Sequence, residues 1–527
     1  MATFYLSEFK GKDDRARFSA ALEAAKEKPG STLVVEPGIY HITSERAREI
    51  QASVMNGDYG KNPEPVMFSP DFAYDRGLDF SGHRGTCVEA YGAKIVVDGF
   101  MEDLSVRDCE NVTVKGFDID VARKPYTKAT VTGITEVDGI KTANVEFAFS
   151  LDVSAPILRS GVYSVKEGRL VPEFTDKVRL LSSSGASGTL DLNGIKVEIG
   201  DEIYLCHTYH FRPSILIENA VNTHIKDVTV RSHAGMGLTA FHSKNVTLER
   251  FSVRPSAGEH FSTNTDATHF SSCRGKLVLD GCLFEGQGDD GINVHTYYYT
   301  AVENNATGAK LKVMSPTWTH TQKTACPLPG DTLELIDRES LAPLSAFKVI
   351  SSSIDEEDRS CTVELDGSLP GDMSGLYLAD PDETPDVTIK NSVFRDHFAR
   401  AMLIKSRRCL IENCLVENVF ELAVKAAPEW SWHEGVNTED ITVRGCVFRN
   451  CGTLFCGRVT RRCGGIEVYD EAKSPAAIHS SVTLENNLID CPECEHGIIV
   501  KDAKTAEISG NTVSSNGEGV VVENLSD

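Results

Sequence analysis

One six-residue pattern recurs along this chain and limits its fold more than any other feature. It runs apolar, polar, then Gly, Asn or another polar residue, then apolar, Asn or Cys, then any residue, then apolar. The early copies are Val114-Lys-Gly-Phe117-Asp-Ile119, Ile225-Lys-Asp-Val228-Thr-Val230, Leu248-Glu-Arg-Phe251-Ser-Val253 and Leu279-Asp-Gly-Cys282-Leu-Phe284. The later ones are Ile389-Lys-Asn-Ser-Val-Phe394, Ile411-Glu-Asn-Cys414-Leu-Val416, Val443-Arg-Gly-Cys446-Val-Phe448, Leu484-Glu-Asn-Asn487-Leu-Ile489 and Ile508-Ser-Gly-Asn511-Thr-Val513. Spacings between starts fall to 22–24 residues, as in 225→248, 389→411 and 484→508. Each unit reads as two short strands around a turn residue, too small to bury its own apolar side. Stacking such units buries a continuous core, which describes a right-handed parallel β-helix. A β-propeller needs about 40–45 residues per blade, twice this floor.

Two spans, 119–225 and 279–389, lack a clean copy and predict inserted small β modules at 124–205 and 299–385. Alternating segments such as Lys310-Leu-Lys-Val-Met314 and Thr332-Leu-Glu-Leu-Ile336 fit that reading. The expected organisation is all-β. Residues 1–123 form a cap and the first coils, 206–298 the central coils, and 386–527 the C-terminal coils. Phe18, Ala21, Leu22 and Ala25 lie at i, i+3, i+4, i+7 behind Asp13 and Asp14, which predicts a capping helix. A first strand is expected at Thr32–Tyr40. Long insertions on one edge of a solenoid often wall a binding site.

Charge narrows the partners. Fifty-three Lys and Arg against 77 Asp and Glu give a net charge of −24, which disfavours nucleic-acid backbones and anionic membranes. No stretch approaches about 18 uninterrupted apolar residues, so no transmembrane helix is expected. The N-terminus has no basic region followed by an apolar core, so no signal peptide is visible. Fifteen cysteines without such a signal favour reduced thiols and a cytoplasmic location, unless a leader has been removed. Cys282, Cys414 and Cys446 sit inside the repeat and read as stacked interior residues. Cys491-Pro-Glu-Cys494 is a lone CxxC without a second pair at zinc spacing, although Cys446, Cys451, Cys456 and Cys463 lie nearby. No metal and no obligatory cofactor is expected.

The densest polar cluster lies between the two expected insertions. It reads Phe261-Ser-Thr-Asn264-Thr265-Asp266-Ala-Thr268-His269-Phe270, then Glu285-Gly-Gln-Gly-Asp289-Asp290-Gly-Ile-Asn293-Val-His295. Asp266 and Asp289 are 23 residues apart, one coil, which puts them on neighbouring strands about 4.8 Å apart. Carboxylates that close repel, and at least one pKa rises. One group then holds a proton for general acid work while another stays ionised as a base. Glycoside hydrolysis needs that pairing. Gly288-Asp-Asp-Gly291 alone would serve as a turn. Calcium would suit the carboxylates, but the flanking histidines fit it poorly.

Asn264-Thr265-Asp266 followed by Asp289-Asp290 resembles glycoside hydrolase family 28, the polygalacturonases. The chain has no Gly-His-Gly, and Arg400-Ala-Met-Leu-Ile-Lys405 only loosely matches that family's Arg-Ile-Lys. It more closely resembles glycoside hydrolase family 110, the inverting exo-acting α-1,3-galactosidases. Four stretches carry this likeness: Arg212-Pro-Ser-Ile-Leu-Ile217 through Gly235-Met-Gly237; Thr265-Asp-Ala-Thr-His-Phe270 with Cys273-Arg-Gly275; Phe284 to Asp290 through Asn293-Val-His295; and Trp430-Ser-Trp432-His-Glu434-Gly435. The likeness covers 205–300 and 385–450 well and 1–130 more weakly.

The resemblance implies removal of a terminal α-linked galactose from oligosaccharides or glycans, with inversion. Asp289 and Asp290 would activate water, and Asp266 would be an acid or a stabilising carboxylate. Asn264, His269, Asn293, His295, His320 and Arg400 would line the sugar site. Trp430 or Trp432 would stack on the sugar, with Glu434 beside it. In the family a His-x-Gln-Thr run is followed shortly by an acidic residue. Here His320-Thr-Gln322-Lys323-Thr has no Glu until Glu334, so either Asp266 or Glu434 takes the acid role. The expected partner is a galactose-terminated carbohydrate, and the expected state a monomer or homodimer. A β-helix polysaccharide lyase, a polygalacturonase-like hydrolase and a non-catalytic carbohydrate-binding solenoid are the rival readings.

Overall fold

The structure is a computed structural model. It describes every residue except 1, 70, 138, 314–323, 454–462, 470–471, 473–475, 524 and 526–527. Three long parallel sheets of 12, 11 and 11 strands wrap one core. A circuit runs from Lys244–Glu249 in the first sheet to Ser252–Val253 in the second, Thr268–Ser271 in the third, and back to the first at Arg274–Asp280. The chain is a right-handed parallel β-helix, the hand that parallel crossovers adopt.

The repeat is legible in this frame. Its first residue forms one column across the first sheet, Ile225, Leu248, Leu279, Ile389, Ile411, Val443, Leu484 and Ile508, paired in register and facing the core. Its third residue is the corner. Gly116, Asp227, Arg250, Gly281, Asn391, Asn413, Gly445, Asn486 and Gly510 all have φ between 49° and 84°. Gly, Asn and Asp tolerate that left-handed backbone best, and it turns the strand into the second sheet. An asparagine ladder steadies the neighbouring corner: Asn245 Nδ2 donates to Asn222 Oδ1 at 2.9 Å, and Asn222 Nδ2 to Asn111 Oδ1 at 2.8 Å. Cys282, Cys414 and Cys446 are buried at the next position, with Cys414 N–H donating to Cys446 Sγ at 3.4 Å.

The helix Asp14–Lys26 caps the first coil and buries Phe18, Ala21, Leu22 and Ala25. Asp13 is its N-cap, accepting from Ala16 N–H at 2.8 Å. A strand at Thr3–Tyr5 precedes the helix and pairs with Thr32–Val34, so the sheet begins earlier than the sequence reading placed it. A second helix, Glu45–Met55, is capped by Ser44; no repeat or motif announced it.

Two modules interrupt the coils. A seven-stranded antiparallel sheet runs from Tyr126–Val137 to Glu202–Cys206, and a closed six-stranded barrel from Tyr299–Asn304 to Leu376–Ala379. The sheet leaves the solenoid between its second and third faces, after Asp118–Val121 and before Ile215–Glu218. The barrel leaves between the third and first faces, after Ile292–His295 and before Asp386–Lys390. The two insertions therefore stand at opposite edges of the third sheet. Among the described residues, no helix is long and apolar enough to cross a membrane.

Candidate active site

Loops entering the third sheet carry the acidic cluster. Strands Thr268–Ser271, Ile292–His295 and Met402–Ile404 pair in parallel, with Thr268 opposite Ile292 and Ile292 opposite Met402. Two residues before these lie Asp266, Asp290 and Arg400, equivalent positions on three successive coils. Ala267 N–H donates to Asp290 O, and Gly291 N–H to Arg400 O, each at 2.9 Å. Asp266 thus lies beside the Asp289–Asp290 pair, as the one-coil spacing implied, with Asp290 directly alongside it. Asp289 stands one position earlier. Gly288 is required where it is by crowding, since a Cβ there would lie 2.3 Å from Asn264 O.

Asp266, Asp289 and Asp290 each present an oxygen within 4.8 Å of the others. Asp290 receives Arg400 through both carboxylate oxygens, Nε and Nη2 each at 2.9 Å, and through the Arg400 backbone N–H at 2.9 Å. Asp289 accepts from the Tyr209 hydroxyl and lies 3.3 Å from Arg159 Nη1. The Arg159 guanidinium stacks 3.6 Å over the Tyr209 ring and donates to Gly288 O at 2.8 Å. Asp266 Oδ2 lies 2.8 Å from His269 Nδ1. Two guanidinium groups, a hydroxyl and an imidazole already engage these oxygens. The donor set suits proton transfer better than a bound cation.

Electrostatics divides the three acids. Burial raises Asp266 well above the ordinary carboxylate range, and the Asp289 and Asp290 charges add to it. Burial lifts Asp290 to about 6, with the Arg400 charge opposing. Burial also acts on Asp289, but Arg159 and the Tyr209 hydroxyl outweigh it and hold that carboxyl below its usual value. The site therefore sets a carboxyl biased toward its protonated form, Asp266, beside one biased toward its ionised form, Asp289.

Most of the other expected site residues support this cluster from behind. His269 and His295 are buried, with their Nε2 atoms 2.8 Å apart. Asn264 is buried and donates to Thr208 O at 2.8 Å, tying the acidic loop to the segment that returns from the first module. The Arg400 guanidinium is taken up by Asp290 and by Glu429, the latter at 2.8 Å. Glu434 pairs with Lys405 Nζ at 2.7 Å. Trp430 Nε1 donates to Arg338 O at 2.9 Å, and the ring packs against the cluster of Tyr298 and Tyr377 on the barrel side. Trp432 is half-buried in the same short turn. Asn293 sits beside His269 on the outer face, and its buried Oδ1 has no hydrogen-bond partner. His320 lies outside the described residues.

Arg159, Tyr209, Lys405 and Glu429 complete the site without having been named as site residues from the sequence. Lys405 belonged to the loose Arg-to-Lys match and Glu429 borders the Trp-Ser-Trp stretch. Arg159 comes from the first module, 130 residues from Asp289, and no spacing rule reaches it.

A profile of the right-handed β-helix region matches residues 359–513. The chain is 25% identical over 505 residues to α-1,3-galactosidase B of Akkermansia muciniphila, covering 90% of this chain and 61% of that protein. It is 23% identical over 524 residues to α-1,3-galactosidase B of Parabacteroides distasonis, covering 92% and 83%. These relatives bear out the resemblance read from the sequence. The chain spans less than two thirds of the Akkermansia relative. A solved family 28 exopolygalacturonase from Yersinia enterocolitica aligns over 99% of this chain and 78% of its own, with TM-score 0.41 and 10% identity.

Proposed function

We propose that this chain is an exo-acting glycoside hydrolase that removes a terminal α-linked galactose, with α-1,3 the preferred linkage. One observation carries the chemistry: three carboxylates from adjacent coils present oxygens within 4.8 Å of one another, between two inserted modules. The activity for which the relatives are named supplies the sugar and linkage. Asp266 protonates the glycosidic oxygen as its bond to the anomeric carbon breaks. Asp289 takes the proton from the attacking water, and Asp290, clamped by Arg400, supports the developing positive charge on the ring. The negative overall charge favours a neutral glycan over an anionic partner.

The stereochemical course follows from the resemblance. The anomer released first is its direct readout. Wild type is assayed on 4-nitrophenyl glycosides and α-1,3-galactosyl oligosaccharides, with product followed by NMR. Release of β-galactose first is expected. First release of α-galactose would refute inversion. A complete lack of turnover on α-galactosides, or an unsaturated product from a uronate polymer, would refute the hydrolase.

A further inference from the structure

Behind Asp266 runs a chain of polar contacts whose donor and acceptor directions are fixed at one end by the backbone. His295 Nδ1 lies 3.2 Å from Thr296 O. A carbonyl oxygen only accepts, so Nδ1 carries the hydrogen. A neutral His295 then has a bare Nε2. That atom is 2.8 Å from His269 Nε2, a separation at which one nitrogen must donate, and His269 is the one left to do so. His269 Nδ1 is consequently bare, and the Asp266 Oδ2 at 2.8 Å must supply the hydrogen.

From these directions we propose that His269 and His295 form a proton-placing pair: the Thr296 carbonyl sets their tautomers and so fixes the site's resting proton on Asp266. The inference rests on the acid–base reading above and adds where the acid's proton rests: on Oδ2 toward His269, a hydrogen bond it must leave before the glycosidic oxygen takes it. Neither histidine touches the sugar; both are positioning residues that act through Asp266.

The surroundings favour neutral rings. Side-chain exposure falls from 7% at Asp266 to 2% at His269 and zero at His295. His295 faces Glu434 Oε1 at 3.7 Å, and alone that carboxylate would invite a charged imidazole. It is already neutralised by Lys405 Nζ at 2.7 Å, and the same ammonium pairs with Glu429 at 2.8 Å. The Tyr297 ring closes the other side of His295, edge to face at 4.7 Å. His269 senses His295, Glu434, Lys405 and, farther off, His210; Asp266 senses Asp289, Asp290 and Arg400. Burial keeps both imidazoles far below their ordinary titration range, and for His295 the Lys405 charge adds to it.

Neutron diffraction from deuterium-exchanged wild-type crystals at pH 7 reads the proton positions without any turnover. Density is expected on Asp266 Oδ2, His269 Nε2 and His295 Nδ1. A deuteron on His269 Nδ1 beside a bare Asp266 would overturn the proposal while leaving the hydrolase reading intact. Kinetics supplies the second arm. His295→Phe removes the acceptor and lets His269 turn a donor toward Asp266, so the alkaline limb of kcat/KM moves down by about one pH unit or more, a tenfold change in proton affinity. His295→Gln keeps an acceptor and holds the limb near the wild-type position. A His295→Phe enzyme whose rate falls with its limb unmoved would reduce the pair to a packing role.

Discussion

Two groups of three acids occur among the described residues, and in both the oxygens lie within 4.8 Å of one another: Asp266, Asp289 and Asp290 on the solenoid, and Asp331, Asp380 and Asp382 where the barrel meets it. In the second group most of the oxygens are held by the fold, Asp380 Oδ2 being the buried one without a hydrogen-bond partner. Asp331 takes Arg274 through both oxygens at 2.8 and 2.7 Å and accepts from Leu328 N–H at 2.6 Å. Asp380 accepts from Asp382 N–H at 2.9 Å, and Asp382 from Thr332 N–H at 2.8 Å. Neighbouring Glu383 accepts from Thr296 and Tyr299 hydroxyls at 3.0 and 2.9 Å. This is a clasp that pins the barrel to the coil. In the first group side-chain partners oppose and tune the acids. Acid density alone does not distinguish the two groups; the partner of each oxygen does.

The strongest way to break that contrast is to neutralise one acid in the first group. Asp289→Asn should lower kcat/KM on an α-galactoside about 10³-fold, within the range for a general base, while the melting temperature stays close to wild type. A large loss of stability with residual activity near wild type would make the first group a clasp as well. The converse change is Arg274→Gln. It strands buried acids and should cost about 3 kcal/mol in denaturant unfolding, with kcat/KM of the folded enzyme nearly unchanged.

Titration sharpens the comparison at smaller amplitude. Asp290 sits at about 6, so kcat/KM should fall as pH drops below about 6 if its carboxylate supports the transition state. For stability the sign is opposite. Asp266 has a folded-state pKa raised by burial and its acidic neighbours, so its contribution is full below the unfolded value and is lost as pH rises through the folded one. Asp266→Asn should therefore flatten the fall of unfolding free energy between the unfolded carboxylate value and the raised folded one, and an unchanged slope would count against a resting proton there. The smallest effect expected is from chelation. Dialysis against EDTA should leave both activity and melting temperature as they were, because arginines and backbone amides already engage the two groups. A loss of activity would point to a cation at the first group, a loss of stability to one at the second.

Much of this was legible in the linear chain. The left-handed corner at the third position of each repeat explains why Gly, Asn or Asp recurs there, and the column from Ile225 to Ile508 explains the apolar first position. The capping helix was readable from its one apolar face. The acidic cluster was readable because a coil returns the chain to the same corner every two dozen residues or so. The exact neighbour was not: bulges and loop lengths move the register, and here they put Asp290 beside Asp266. His269, His295 and Arg400 stood out by residue type, but their contacts with Asp266, with each other and with Asp290 did not, since a side chain that faces a ligand and one that backs a carboxylate look alike in sequence. Trp430 likewise packs toward the barrel.

The sequence by itself determined the solenoid, its two interruptions and the gathering of three acids, because periodic burial and backbone turns are local properties that repeat with the chain. Only the tertiary structure decided how those acids are charged. Arg159 and Tyr209 reach Asp289 from a module inserted far upstream, and the histidine pair's tautomers hang on one backbone carbonyl. Such contacts are single and aperiodic, and the desolvation that gives them their strength exists only once the coils and modules have closed around them.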